Sequence, residues 1–158
     1  MPVSQDEFRQ ALSHLASGVS VVTTKDARGN PFGITVSAFC SVSLAPPLVL
    51  VCIEKATGSH HAFKESNAFV VNILDSTQMN ISEIFATPLD DKFENVANEP
   101  GVFGIPILTG VLANIECRLM HSYDAGDHSI FVGEVERSTV SEGEPLIYFE
   151  GEYRSLSR

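Results

Sequence analysis

The feature that most constrains the fold is a pair of alternating runs in the last third of the chain. In GVLANIECRLMHSY, the apolar Val111, Ala113, Ile115, Cys117 and Leu119 alternate with Asn114, Glu116 and Arg118. This is the period of a strand with one buried face. DAGD, residues 124–127, then supplies a turn, and HSIFVGEVERSTV reads as the returning strand. A long antiparallel hairpin of this kind needs further strands to cover its apolar face.

The rest of the chain supplies them. Runs rich in Val, Ile and Thr end at Thr24 (VSVVTT), Ser43 (FGITVSAFCSVS), Glu54 (PLVLVCIE) and Leu74 (FVVNIL), with DARGN and LAPP between the first three. Three such strands in sequence suggest a meander, and PLIYFEGEYRSL adds one or two short strands at the end. Helical signals are few. Ser4 and Glu7 have capping-box spacing, and Phe8, Leu12 and Leu15 follow on one face, so a helix is expected from about residue 5 to Ala16, ended by Gly18. ATGSHHAFKES is expected to start a helix at Ser59, and STQMNISEIFA sets Ile81, Ile84 and Phe85 on one helical face. The Pro, Gly, Asn and Asp of TPLDDKFENVANEPGVFGIP mark a long irregular excursion of the functional kind. The expected fold is mainly β with a few helices: one domain over 1–158, a small closed antiparallel barrel with short helices covering its ends.

Charge and composition exclude several functions. The 158 residues hold 20 acidic and 10 basic side chains, a formal net charge of −10 that would repel a phosphate backbone, so no nucleic-acid partner is expected. No apolar run approaches the ~18 residues of a membrane span, and MPVSQDEFRQ lacks the basic and apolar regions of a signal peptide. Cys40, Cys52 and Cys117 each sit in an apolar run, the setting of reduced, buried thiols, which favours the cytoplasm. No GxGxxG follows a strand and no GxxxxGK[ST] or GxSxG occurs, so a Rossmann site, a P-loop and a hydrolase elbow are unsupported. His14, His60, His61, His121 and His128 show no zinc-ligand spacing with cysteine or carboxylate, so no metal is expected.

What remains is a set of hydroxyls. Thr35, Ser37, Ser41 and Ser43 stand at alternate positions after Gly33, which on one strand would put them on one face. Such a face suits a neutral polar ring; it also fits a plain polar outer surface.

In order and spacing, ASGVSVVTT, GITVSAFCSVSLAPPLVLVC, FVVNIL, DKF, IECRL, GDHSIFVGEV and PLIYFEGEY resemble the short-chain flavin reductases, the reductase components of two-component flavin monooxygenases. The resemblance spans about residues 8 to 156, and GDHxIxxGxV together with TVSxFxSVSxxPPL is its most specific part. It implies a split β-barrel of the FMN-binding, Greek-key-like type, working as a homodimer. It also implies hydride transfer from NADH or NADPH to FMN or FAD, with the reduced flavin passed to a separate monooxygenase.

By the same resemblance, backbone and side chains of Gly33, Thr35, Val36, Ser37, Ala38, Ser41, Val42, Ser43, Cys52 and Ile53 would contact the flavin. Ser59 and Lys92 would hold its phosphate, and Phe85, Ala86 and Phe93 would line the pocket. His128 would face the nicotinamide, with Gly126 and Asp127 as turn formers. Lys92 could equally be an exposed charge among acids, and an aromatic at helical spacing such as Phe85 is more often core. Two departures from the family pattern stand out: Ile34 and Ala38 replace a methionine and a serine, and GSHHAF replaces Ser-x-Thr, leaving open whether His60 or His61 takes the threonine's place. The scattered arginines favour NADH over NADPH. Alternatives are a split-barrel FMN oxidase acting on a small phosphorylated molecule, and a flavin-binding protein without catalysis.

Overall fold

Alternation along β-branched runs becomes strand throughout, in a computed structural model that describes residues 2–157. The strands are β1 (Ser17–Gly18), β2 (Ser20–Lys25), β3 (Pro31–Val36), β4 (Phe39–Ser43), β5 (Leu48–Glu54), β6 (Ala68–Ile73), β7 (Asn98–Pro100), β8 (Pro106–Leu108), β9 (Ala113–Ala125), β10 (His128–Val140), β11 (Ile147–Phe149) and β12 (Glu152–Arg154). Three helices accompany them: α1 (Gln5–Ser13), α2 (His60–Glu65) and α3 (Met79–Ala86).

Seven strands form one antiparallel sheet in the order β3-β2-β6-β9-β10-β5-β4. β9 and β10 form the long hairpin through a two-residue loop, Gly126 and Asp127. Gly126 has φ +65°, as such a tight turn requires of its first residue. The meander expectation is half right, because β2–β3 and β4–β5 are hairpins. FGITVSAFCSVS is not one strand: it breaks at Ser37–Ala38, and its halves lie on opposite edges of the sheet. The closed barrel is therefore not found. Backbone pairing stops at β3 and β4, which the two-residue link brings side by side at one corner without a ladder between them.

The inner face of the sheet carries Val22, Val36, Val49, Val51, Ile53, Phe69, Val71, Cys117 and Phe131, with Phe63 of α2 packed on it. A second apolar cluster, including Val19, Val21, Leu74, Leu108 and Leu146, takes in Phe85 of α3. Gly133, in the second half of GDHSIFVGEV, is required by this packing: a Cβ there would lie 2.6 Å from the Phe69 ring and 2.7 Å from the Cys117 Cβ.

α1 is capped as expected. Ser4 Oγ accepts from the Glu7 amide and the Glu7 carboxylate accepts from the Ser4 amide, but the helix stops at Ser13 rather than Ala16. None of its residues is buried. Phe8 and Leu12, with Leu15 just beyond its end, are 57%, 47% and 67% exposed, an apolar stripe that the other described residues cover only in part.

The excursion after α3 is mostly irregular, with β7 and β8 as a small hairpin. Two buried polar side chains fasten it to the sheet. Asn72 accepts from the Leu108 amide at 2.9 Å while its Nδ2 donates to the Val21 carbonyl at 2.9 Å. Glu116, 1% exposed, accepts from the Val102 amide at 2.6 Å. Such donors and acceptors cost little once buried because each is satisfied.

Candidate functional site

The fastened excursion, α3 and the β3 edge enclose a cavity of about 820 Å³. Its walls come from three places in the sequence: Asn30–Ile34, Ala56–Ser59 and Phe85–Glu94, the last running from the end of α3 into the excursion. A volume of this size lies within the range of small-molecule sites, roughly 300–1,000 Å³.

Gly33 is where the walls meet. A Cβ at this position would lie 2.6 Å from Phe85 Cε1 and 3.3 Å from Phe93 Cζ, so only glycine lets the two rings close on β3. Phe85 and Phe93 pack edge to face at 5.1 Å, and Phe85 is fully buried. Lys92 completes the joint. Its Nζ donates to the carbonyls of Gly33 at 3.3 Å and Phe85 at 3.1 Å, so it is not the free surface charge that DDKFE allows. The Phe85 carbonyl belongs to the last turn of α3, which has no helical donor, and an ammonium there also suits the helix dipole. Burial pushes the Lys92 pKa down.

Ser59 lines the same cavity. It precedes α2, is buried, and makes no capping hydrogen bond with its hydroxyl. Gly33, Ser59, Phe85, Ala86, Lys92 and Phe93, 59 residues apart at Gly33–Lys92, are thus brought together.

Thr35, Val36 and Ser37 lie in a smaller adjoining cavity of about 200 Å³, which shares Ala86 and adds Val19, Ser82, Tyr148 and Tyr153. Thr35 donates to the Ser82 carbonyl at 2.7 Å, and Ser82 Oγ lies 2.8 Å from the Tyr153 hydroxyl. Tyr148 and Tyr153 are a cross-strand pair in contact at 5.5 Å. Nothing in the sequence singles out Phe32, Ser82, Tyr148 or Tyr153 as site residues; PLIYFEGEYRSL marks only one or two short strands at the end of the chain.

The single hydroxyl face expected of Thr35, Ser37, Ser41 and Ser43 does not form. β3 ends at Val36, Ser37 lies in the link, and a register shift between Ser41 and Ser43 turns these two to different sides of β4. Ala38, Ser41, Val42, Ser43, Cys52 and Ile53 line neither cavity. The Cys52 amide already donates to the Ala38 carbonyl at 3.0 Å, and Ile53 is fully buried. The thiols also differ from the buried set expected: Cys117 is buried, with its pKa pushed up to about 12, Cys52 is half-buried and Cys40 is exposed.

His128 begins β10, opposite Glu54 of β5. Its Nδ1 lies 2.7 Å from Asp127 Oδ1, and that hydrogen bond, with the imidazole's charge, holds the Asp127 carboxyl below the usual carboxylate range. The Asp127 carbonyl accepts from the Lys55 amide at 2.8 Å, and Lys55 Nζ donates to the Gly126 carbonyl at 2.9 Å. The turn is thereby fixed to the chain that runs directly into the Ala56–Ser59 wall, although His128 itself does not line the cavity. His60 points inward, Nε2 2.9 Å from Ser129 Oγ, and burial lowers its pKa. It cannot stand in for a ligand-facing threonine.

Among the described residues no cluster of His, Cys, Asp or Glu could hold a metal ion, and no helix is long and apolar enough to cross a membrane.

Comparison with known proteins places this architecture. The chain is 40% identical over 152 residues to the reductase component of a 4-nitrophenol 4-monooxygenase/4-nitrocatechol 2-monooxygenase from Rhodococcus opacus, covering 96% of this chain and 81% of that one. It is 41% identical over 151 residues to an FMN reductase (NADH), SmoA, from Agrobacterium fabrum, covering 96% and 86%. The solved NADH:FAD oxidoreductase SgcE6 of Streptomyces globisporus superposes with a TM-score of 0.93 at 33% identity, over 100% of this chain and 96% of that one. Some relatives are longer, and of these the chain spans about half. Residues 12–157 match the flavin reductase like domain, and the chain belongs to that family.

Proposed function

We propose that residues 1–158 act as one flavin reductase domain that oxidises NADH and passes reduced FMN or FAD to a separate flavin-dependent monooxygenase. The observation that carries this is the cavity at the β3 edge, with its aromatic wall, Ser59 and the half-buried ammonium of Lys92, in a chain of this family. The donor set fits a flavin: a ring system needs flat apolar walls and a neutral polar edge, and a phosphate needs a cation and a hydroxyl. When bound, flavin accepts the hydride of the nicotinamide and carries the electrons away.

The chain's own part is to bind, orient and exclude water. Lys92 and Ser59 hold the phosphate end. Thr35, Val36 and Ser37 border the ring, and Ala38, Ser41, Val42, Ser43 and the Cys52–Ile53 backbone, outside both cavities, support that border from β4 and β5. His128 stands on the nicotinamide side, its ring set by Asp127, where it can donate to the carboxamide or move a proton. Hydride transfer itself requires no side-chain base.

We read the open sheet as the family's split barrel and propose a homodimer, a reading supported by the exposed stripe of Phe8, Leu12 and Leu15. Free cysteines suit a cytoplasmic location. The test is NADH oxidation by the purified protein with FMN, with FAD and without flavin. Turnover that requires added flavin supports the reductase; a folded protein that binds flavin but oxidises no NADH removes it.

A further inference from the structure

Phe32 lines the larger cavity on β3 and meets His61 of α2 edge to face, with ring centroids 4.8 Å apart and planes at 83°. His61 is exposed, whereas its neighbour His60 is buried against Ser129, so His61 is the histidine of GSHHAF that a ligand can reach. Two rings thus stand beside Gly58 and Ser59, at the end of the cavity that suits a phosphate.

We propose that Phe32 and His61 form a stacking platform for an adenine ring and make this chain selective for flavin adenine dinucleotide over the mononucleotide. The proposal rests on the flavin reductase reading. The two flavins share the tricyclic ring and the ribityl phosphate, and they differ only in what continues beyond that phosphate. A residue that discriminates between them must lie near Lys92 and Ser59 without holding the shared phosphate; Phe32 adjoins Gly33, whose carbonyl takes Lys92, and the exposed His61 is two residues from Ser59. The larger cavity, about 820 Å³, leaves room for a dinucleotide.

Charge argues that stacking, rather than the second phosphate, provides the selectivity. Asp90, Asp91 and Glu94 line the cavity with Lys92, and His61 lies close enough to Asp26 to help hold that carboxyl below its usual range, after the larger effect of the Asn30 hydrogen bond. A second phosphate therefore enters acidic surroundings in a chain of net charge −10. FAD brings that phosphate together with its adenine, so its preference over FMN has to come from the purine's contact with the rings, and such a contact is worth roughly tenfold in affinity. The mononucleotide has no base to place there.

The experiment is titration of wild type, Phe32→Leu and His61→Ala with FAD and with FMN, followed by flavin fluorescence, and with ADP as competitor. Phe32→Leu keeps apolar contact on β3 while removing the ring, and thermal melting checks that each variant folds. Wild type should bind FAD about tenfold more tightly than FMN, and each variant should weaken FAD by about three- to tenfold while leaving FMN within about twofold. ADP should displace FAD from wild type and lose affinity in Phe32→Leu. Equal loss for both flavins, no loss for FAD, or wild-type preference for FMN each overturns the platform. If both flavins bind and support NADH oxidation but Phe32→Leu spares FAD, the platform alone fails. If neither flavin binds nor supports oxidation, the reductase reading fails with it.

Discussion

The cavity at the β3 edge and the turn that carries His128 are built in opposite ways. The cavity joins Gly33, Ser59, Phe85, Lys92 and Phe93 from three segments, and its joint is mutual: Phe85 closes only because residue 33 lacks a Cβ, and Lys92 bridges both. The turn is local. Gly126, Asp127 and His128 are consecutive, and their contacts are with one another and with Lys55 across a single strand pair. Damage should therefore spread in the cavity and stay put in the turn.

The strongest attempt to break the contrast is Gly33→Val. Its Cβ would fall within 2.6 Å of the Phe85 ring, with Phe93 behind it. Overpacking of this kind costs about 1–3 kcal/mol. Chemical denaturation should show that loss, and flavin fluorescence titration should show binding abolished; a variant of wild-type stability and affinity would contradict the joint described here.

Lys92→Met comes next. It leaves the Gly33 and Phe85 carbonyls without their ammonium, and FMN and FAD affinity should fall together, by about tenfold. Equal loss separates this shared phosphate end from Phe32, where the flavins should part company. His128→Ala should leave stability and flavin affinity unchanged and raise the Michaelis constant for NADH by about two- to tenfold, with kcat less affected. An unaltered NADH constant would place His128 outside the site.

The smallest effect sharpens the link between the two regions. His60 of α2 reaches Ser129, next to His128, and burial lowers its pKa, with Lys64, Lys55 and His61 acting in the same direction and Asp124 against. A folded-state pKa below the unfolded value of about 6.5 favours the neutral ring in the native protein, so its contribution to stability is complete above that value and is lost as pH falls through the lower one. Melting temperatures at pH 7.5 and 5.5 should differ more for wild type than for His60→Gln. With a thiol reagent, Cys40 should react first and Cys117 only on unfolding, as their exposures and the raised Cys117 pKa require.

The residues that were read correctly are those whose partners are close in sequence. Alternation in 113–119 and 128–135 is a property of a single strand, Gly126 serves a turn two residues long, and the Ser4–Glu7 box closes within one helical turn. The errors share the opposite property. FGITVSAFCSVS has strand propensity throughout, and nothing within it announces that Ser37–Ala38 carries the chain from one sheet edge to the other. The hydroxyl face failed there and at the Ser41–Ser43 shift, because a change of register by one residue sends side chains to the other side.

By itself the sequence determined a mainly β chain, its long central hairpin, three short helices and, through a dispersed set of motifs, its family. These follow from local propensity, periodicity and residue order, which need no knowledge of distant partners. Tertiary structure alone decided that the sheet stays open, that Lys92 is a half-buried bridge rather than a free surface charge, that His61 and not His60 faces Phe32, and which site residues share a cavity. Those outcomes depend on close approach between segments tens of residues apart, where one missing Cβ or one satisfied carbonyl settles what can pack.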